Sequence, residues 1–354
     1  MSGVEKNIRP DSLRAFVGEL FSAGGMRPGE ADWFAESIVQ ANLWGIDSHG
    51  VIRVPTYFSR VLSGAINRRP SIRTYRKAPA LTLLDADGAA GAVAGRAAME
   101  QAIADARAHG VGVCGVTNSN HFGAAALYSR LAVEQDMVGL AMTNVKPLIA
   151  APGAKAPVAG NNPFSIAVPT YCAFPFSLDM SISVAAGGKL RLAAARGERI
   201  PLDWAVDQDG QPTDDPQAAL NGFLLPIGGY KGLGLAYAVD ILSGVITGGL
   251  FADQMRSMYH DPDLPSGTGH LMIAMDLKAW IAPGEMKRRM EHYHSFLQSI
   301  PMAEGAGPLV FPGEPEARQE LRRRKEGIPI PGSTLETLEQ LGVRHGVRSR
   351  LETI

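Results

Sequence analysis

The sequence predicts a mixed α/β (α+β) fold, with an α/β lobe in the middle of the chain and a helical lobe built from both of its ends. Three observations carry this expectation. At 354 residues the chain exceeds the roughly 250 to 300 residues at which a single core stops growing, so two or three lobes are expected. Both ends show apolar residues at helical spacing, whereas the middle alternates apolar runs of strand length with helices. Hydrophobic residues make up 45% and charged residues 19%, and the 40 glycines and 24 prolines are scattered, which is the balance of an ordered globular chain. Residues 1–78 and 276–354 are assigned to the helical lobe and residues 79–275 to the α/β lobe.

The elements follow in order. "DSLRAFVGELFSAGG" sets Leu13, Phe16, Val17 and Leu20 on one helical face and ends in glycines, and "PGEADWFAESIVQANLWG" repeats the pattern with Phe34, Ile38 and Val39. "VPTYFSRVLSGAIN" reads as a short helix and "APALTLLDADG" as a strand entering a turn. An Ala-rich helix, "GAVAGRAAMEQAIADARAHG", precedes four strands, "GVGVCGVT", "MVGLAMTN", "NPFSIAVPT" and "FPFSLDMS". A helix, "GAAALYSRLAVEQD", separates the first two of these. A buried helix around Asp240, the strand "GHLMIAMDL" and the amphipathic helix "GEMKRRMEHYHSFLQSI" come next, and the tail reads as helix, Pro-rich extended turn, helix.

Composition narrows the partners. Lys plus Arg total 34 against 35 Asp plus Glu, so no global field draws the chain to nucleic acid or an anionic membrane, and a small-molecule partner is expected. The two cysteines, Cys114 and Cys172, make neither a disulfide framework nor a metal site, which favours a reducing cytoplasm. "MSGVEKNIRPDSL" has no apolar core and is not read as a secretory signal. Leu233 to Phe251 approaches the roughly 20 residues of a membrane span, but Asp240 in its middle argues for a buried helix.

The formal dinucleotide fingerprint "GVGVCG", Gly110 to Gly115, lies inside a strand that follows a helix, the reverse of the order a pyrophosphate site needs. It is read as a coincidence. No zinc-protease, P-loop or G-x-S-x-G motif occurs, His292 and His294 face different sides of a helix, and no metal site is expected. "RRRK", Arg322 to Lys325, reads as a solvated helix face.

Four stretches carry chemistry. "WGIDSHGVIRVPTYF" gathers Asp47, Ser48, His49, Arg53 and Tyr57. A carbonyl or imine reductase needs a proton donor, and histidine, with an ordinary pKa of roughly 6.5, suits that task. Ser48 is placed to donate to developing negative charge and Arg53 to grip a carboxylate in a bidentate fork. "TNSNHFGAAALYS" sets His121 before a helix, either as a ligand contact or beside the capping candidates Asn118, Ser119 and Asn120. Asp179, at the end of an apolar strand, is either compensated by a cation or by a histidine such as His49, which it would orient, or caps the next helix through Ser181 and Ser183. "LPIGGYKGLGLAYAVD" offers Lys231 as a phosphate or carboxylate holder, against a purely geometric glycine turn.

Taken together and in order, these segments resemble the type 2 malate/L-lactate dehydrogenase family. Its members include malate, L-lactate, sulfolactate and ureidoglycolate dehydrogenases, 2,3-diketo-L-gulonate reductase and piperideine-2-carboxylate reductase. The resemblance rests on Gly45 to Tyr57, Asn118 to Gly123, Thr143 to Pro147, Gly160 to Pro163, Asp179 to Lys189, Gly228 to Leu235 and Pro312 to Glu314, and it covers nearly the whole chain.

The resemblance implies a non-Rossmann lobe that binds NAD or NADP, a tight homodimer, and hydride transfer between nicotinamide and C2 of a small 2-oxo or 2-hydroxy acid. His49, with Ser48 and Asp179 as neighbours, matches the proton donor of some members, and His121 the acid/base of others. Arg53 and Tyr57 would line the substrate pocket. The cofactor would contact Asn144, Val145, Lys146, Asp179, Met180, Ser181, Lys231, Gly232, Gly313, Glu314 and Pro315. Asn161, Ser181, Ile182 and the Val145–Lys146 pair depart from the family pattern and leave the choice between NAD and NADP open. Two competing readings are a cyclic 2-imino acid reductase and, from another class, a catalytically silent nucleotide-binding protein.

Overall fold

The computed structural model describes residues 4–354; the start of the N-terminal stretch read above as lacking a secretory signal lies outside them. The chain runs β1 (Lys6–Ile8), α1 (Pro10–Ala23), α2 (Pro28–Leu43), α3 (Val54–Ser63), β2 (Arg73–Ala78), β3 (Leu81–Asp85), α4 (Gly91–His109), β4 (Val111–Ser119), α5 (Ala126–Val133) and β5 (Met137–Thr143). It continues with β6 (Ile149–Ala150), β7 (Pro157–Ala159), β8 (Phe164–Val168), β9 (Phe176–Met180), α6 (Gly187–Arg196), β10 (Ala205–Val206), α7 (Pro216–Asn221), β11 (Phe223–Leu224) and α8 (Tyr230–Asp240). The last elements are β12 (Thr268–Asp276), α9 (Pro283–Gln298), α10 (Glu314–Glu326), β13 (Ile328–Ile330) and α11 (Gly332–His345).

A seven-stranded sheet, in the order β2-β3-β4-β12-β5-β8-β9, forms the centre. Among its described pairs only β3 and β4 are parallel. The strand β12 returns from far along the chain to fill the slot between β4 and β5, antiparallel to both. The Ala-rich face of α4 (Ala94, Ala98, Ala102, Ala106) is buried against this sheet. Close approach explains Gly112, since a Cβ there would lie 2.0 Å from the carbonyl oxygen of Ala102. Gly112 therefore serves packing within β4, and Gly110 ends α4 with a φ of 82°.

Both chain ends meet in one core, where Leu13, Phe16, Val17 and Leu20 of α1 join Phe34, Ile38, Phe58, Ile328, Ile330, Leu335 and Leu338. The antiparallel pair β1–β13, with Lys6 opposite Ile330, ties the ends together. Two features depart from the expectation. A four-stranded sheet, β10-β11-β6-β7, with α6 and α7, forms a separate core around Ile149, Ile182, Leu190 and Leu224. The buried helix expected through residue 251 ends at Asp240 in a π-turn, and Leu235, Tyr237, Ile241, Val245 and Ile246 are exposed. No helix among the described residues is long and apolar enough to cross a membrane.

Candidate active site

The loop after α2 folds into two short 3₁₀ turns, Asp47–His49 and Val51–Arg53, because Asn42 reaches across it. Its side chain donates to Asp47 Oδ1 at 2.6 Å and accepts from the Val51 amide at 2.9 Å. Within this frame Ser48 Oγ lies 2.9 Å from His49 Nδ1, and Arg53 Nε donates to the Ser48 carbonyl at 2.6 Å. The β4–α5 connection brings His121 alongside, its ring parallel to that of His49 with centroids 5.6 Å apart and planes 13° from parallel.

Tyr57, on the buried face of α3, places its hydroxyl 2.7 Å from His121 Nδ1, and the Gly123 amide donates to the same nitrogen at 3.4 Å. An amide can only donate, so Nδ1 is the acceptor and the neutral ring carries its proton on Nε2. Burial pushes the His49 imidazolium down to about 4, aided by the charge of Arg53. Burial also holds His121 well below the usual histidine value, followed by His49 and Arg53. Both rings are neutral at neutral pH.

Asp179 makes a different contact from the one expected. Its Oδ2 accepts from the Ala126 amide at 3.0 Å, and among the described residues it bonds to neither histidine. The physical reason is the start of α5. Ala125 at its N-cap offers no side-chain oxygen, so the carboxylate of β9 satisfies the first free amide instead. Asn118, Ser119 and Asn120 thus do not cap α5, and Asp179 does not cap the segment through Ser181 and Ser183, whose hydroxyls lie 3.3 Å from one another. Burial raises the Asp179 carboxyl to about 6, the Ala126 amide opposing and Glu316 adding to the shift.

Asp47 is the exposed half of an ion pair whose cation is buried: Arg323 donates to its Oδ1 at 2.6 Å and Oδ2 at 2.9 Å, and to the Asn42 carbonyl. Arg323 is 7% exposed, so the "RRRK" run is not a uniformly solvated face. Two further residues escaped the sequence reading. Arg60 is buried on α3, and its position three residues after Tyr57 on an apolar face was the available signal. His270 bolts the ends of β4 and β5 together, with Nδ1 2.8 Å from Thr143 Oγ1 and Nε2 2.8 Å from Ser119 Oγ, and burial takes it down to about 3.

A family model described as malate/L-lactate dehydrogenase matches residues 8–339. The chain belongs to the malate/L-lactate dehydrogenase family. It is 36% identical over 349 residues to a malate dehydrogenase of Pyrococcus abyssi, spanning 96% of this chain and 95% of that protein. The solved sulfolactate dehydrogenase of Methanocaldococcus jannaschii superposes with a TM-score of 0.90 at 35% identity, covering 96% of this chain and 97% of that one. A Delta(1)-pyrroline-2-carboxylate/Delta(1)-piperideine-2-carboxylate reductase of Pseudomonas putida is 31% identical over 334 residues, 93% of this chain and 95% of that protein. The chain is thus an oxidoreductase of a family whose dehydrogenases use nicotinamide cofactors.

In this family member the residues that the resemblance assigns to the cofactor differ in what they leave free. Asn144 is fully buried, its amide donating to Asp240 Oδ1 and the Leu250 carbonyl at 2.8 Å each and accepting from the Gly269 amide at 3.0 Å. A Cβ on Gly232 would lie 2.0 Å from the Ile227 carbonyl oxygen, so that glycine serves packing. Val145 donates its amide to Asn162 Oδ1, while Lys146 is exposed and Met180 and Ser181 are half-buried. Gly313 takes a φ of 97° at the start of α10, where the Glu314 carboxylate accepts from the Phe311 amide at 3.3 Å and Pro315 is exposed. Gly228 and Gly229 have positive φ with open space where a Cβ would stand, and exposed Lys231 follows in the first turn of α8. The Gly229 amide is spent on the Pro226 carbonyl at 3.3 Å, which leaves the Gly228 amide, the N-terminus of α8 and a cation, a set that fits a pyrophosphate.

Proposed function

We propose that this family member interconverts a small 2-oxo acid and its 2-hydroxy acid, with NAD or NADP as hydride partner. The observation that carries the reading is the parallel His49–His121 pair, with Arg53 beside it, the tautomer of His121 fixed by the Gly123 amide and Tyr57 bound to the same nitrogen. Bound nicotinamide supplies or accepts the hydride at substrate C2. His121, with its proton on Nε2, hydrogen-bonds the substrate oxygen and stabilises charge that develops there. His49 exchanges the proton, and Ser48 orients its ring through Nδ1.

Arg53 holds the carboxylate, because its Nε is spent on Ser48 while its terminal nitrogens make no hydrogen bond among the described residues. Burial is the larger cause of the low His49 value and the Arg53 charge the lesser, and a bound carboxylate offsets the second of these, which shifts the ring upward. Asp179 acts on this arrangement through α5, whose start it caps. A His49→Ala variant is expected to lose about 10²- to 10⁴-fold in kcat. Full activity in that variant would transfer the proton to His121.

The cofactor side is read as a non-Rossmann lobe. The mostly antiparallel sheet and the position of Gly112 and Gly115 inside β4, rather than at the start of a helix, support this. Lys231 with the amide of Gly228, together with Lys146, Met180, Ser181, Gly313 and Pro315, would line it. The likeness to the Pseudomonas putida enzyme favours a second reading, reduction of a cyclic 2-imino acid. The chain is further read as a cytoplasmic homodimer. Its two cysteines are free thiols, and Gly234, Tyr237, Ala238, Ile241 and Val245 give α8 and its π-turn an exposed apolar face at helical spacing.

A further inference from the structure

Residues 251–267, between the π-turn and β12, carry no role in the account so far, yet one buried cation holds them in place. Arg60 is 2% exposed. Its NH1 donates to the carbonyls of Asp261 at 3.3 Å and Pro262 at 2.8 Å. Its NH2 donates to the Leu264 carbonyl at 2.9 Å and to Ser266 Oγ and Asn120 Oδ1, each at 3.1 Å. Every one of these acceptors is neutral. A buried guanidinium is tolerable only where its donors are met, so the position of the loop relative to α3 is over-determined.

The loop is also fixed from within. Asp261 Oδ2 accepts from the Ser257 amide at 3.0 Å, and Ser257 Oγ accepts from the amides of Tyr259 at 3.1 Å and His260 at 3.2 Å. These bonds leave the Tyr259 side chain 55% exposed, with the Arg53 guanidinium carbon 5.6 Å from its ring centroid. The ring lies within cation–π reach of the guanidinium, Nε is spent on Ser48, and the two terminal nitrogens make no hydrogen bond among the described residues.

We propose that Tyr259 is a specificity-determining residue of the acid site, setting the orientation of Arg53, and that Arg60 is the positioning residue that delivers it. The inference rests on the reading that Arg53 binds the substrate carboxylate. The ring beside the guanidinium adds a cation–π attraction that keeps the fork from swinging into solvent, and with Nε bound to Ser48 it leaves the two terminal nitrogens to meet the carboxylate.

The test is steady-state kinetics of the full-length enzyme with its preferred 2-oxo acid, measuring KM for the acid, KM for the nicotinamide and kcat separately. Tyr259→Leu is expected to raise KM for the acid about fivefold or more, the scale of one cation–π contact, with kcat and the cofactor KM little changed. Tyr259→Phe keeps the ring and is expected to recover most of the wild-type KM, and Arg60→Lys to raise the acid KM as Tyr259→Leu does. Because Tyr259 is exposed, its replacement leaves the fold intact. An unchanged acid KM in Tyr259→Leu, or a loss confined to kcat, would overturn the proposal. Arg53→Ala separates the two readings. If it leaves the acid KM unaltered, the carboxylate role of Arg53 fails; if it raises that KM while Tyr259→Leu does not, only the role of Tyr259 fails.

Discussion

Tyr57 sits in the core on the apolar side of α3, and only its hydroxyl reaches the site, where it meets His121 Nδ1 at 2.7 Å. That bond favours neutral His121 and holds its proton on Nε2. Tyr57→Phe is therefore expected to lower kcat/KM more than about tenfold, since general acid–base geometry is lost. The sign of the accompanying pH effect follows from the same bond. Removing a donor to the neutral ring raises the His121 pKa, so the acid limb of the kcat/KM profile moves to higher pH. An unshifted limb in the variant would contradict the assignment. The grouping of Ser48, His49 and Arg53 was legible because one turn carries all three. The hydrogen-bond partners of Tyr57 and Asp179 were not, because each is decided by competition between segments far apart in sequence.

The helix α10 links the two ends of the site. Gly313 and Pro315 stand at its start, and Arg323 in its last turns clamps Asp47, immediately before Ser48 and His49. Asp47→Asn leaves Arg323 buried without a counter-charge. The expected loss is about 1–2 kcal/mol, below the range for a fully buried pair because the Asp47 side chain is 50% exposed. Urea denaturation measures it, and an unchanged midpoint would remove the clamp from the account. The long periodic helices and the apolar strands were legible from period alone. Strand β2 was not, because "RTYRKA" is an exposed edge strand with no buried alternation to read. Arg323 was misread for the opposite reason. A charge run looks solvated until the partner helix, α2, shows which of its members turns inward.

For the whole molecule, the meeting of both chain ends in one helical core was legible from their shared apolar patterning, whereas the four-stranded sheet was not, being built from strands of two or three residues. The exposed apolar face on α8 belongs to this scale too. Light scattering is expected to find twice the chain mass, and Ile241→Glu with Val245→Glu to shift the protein toward the monomer; a monomeric wild type would remove the proposed dimer. The most direct test of the central claim is oxidation of NADH and, separately, of NADPH, followed by absorbance against pyruvate, oxaloacetate, sulfopyruvate, 2,3-diketogulonate and piperideine-2-carboxylate. The account predicts turnover of at least one 2-oxo acid, with a 2-hydroxy acid formed in step with the cofactor oxidised. Cofactor binding without oxidation across the whole panel would contradict it and mark the chain as a silent nucleotide-binding protein.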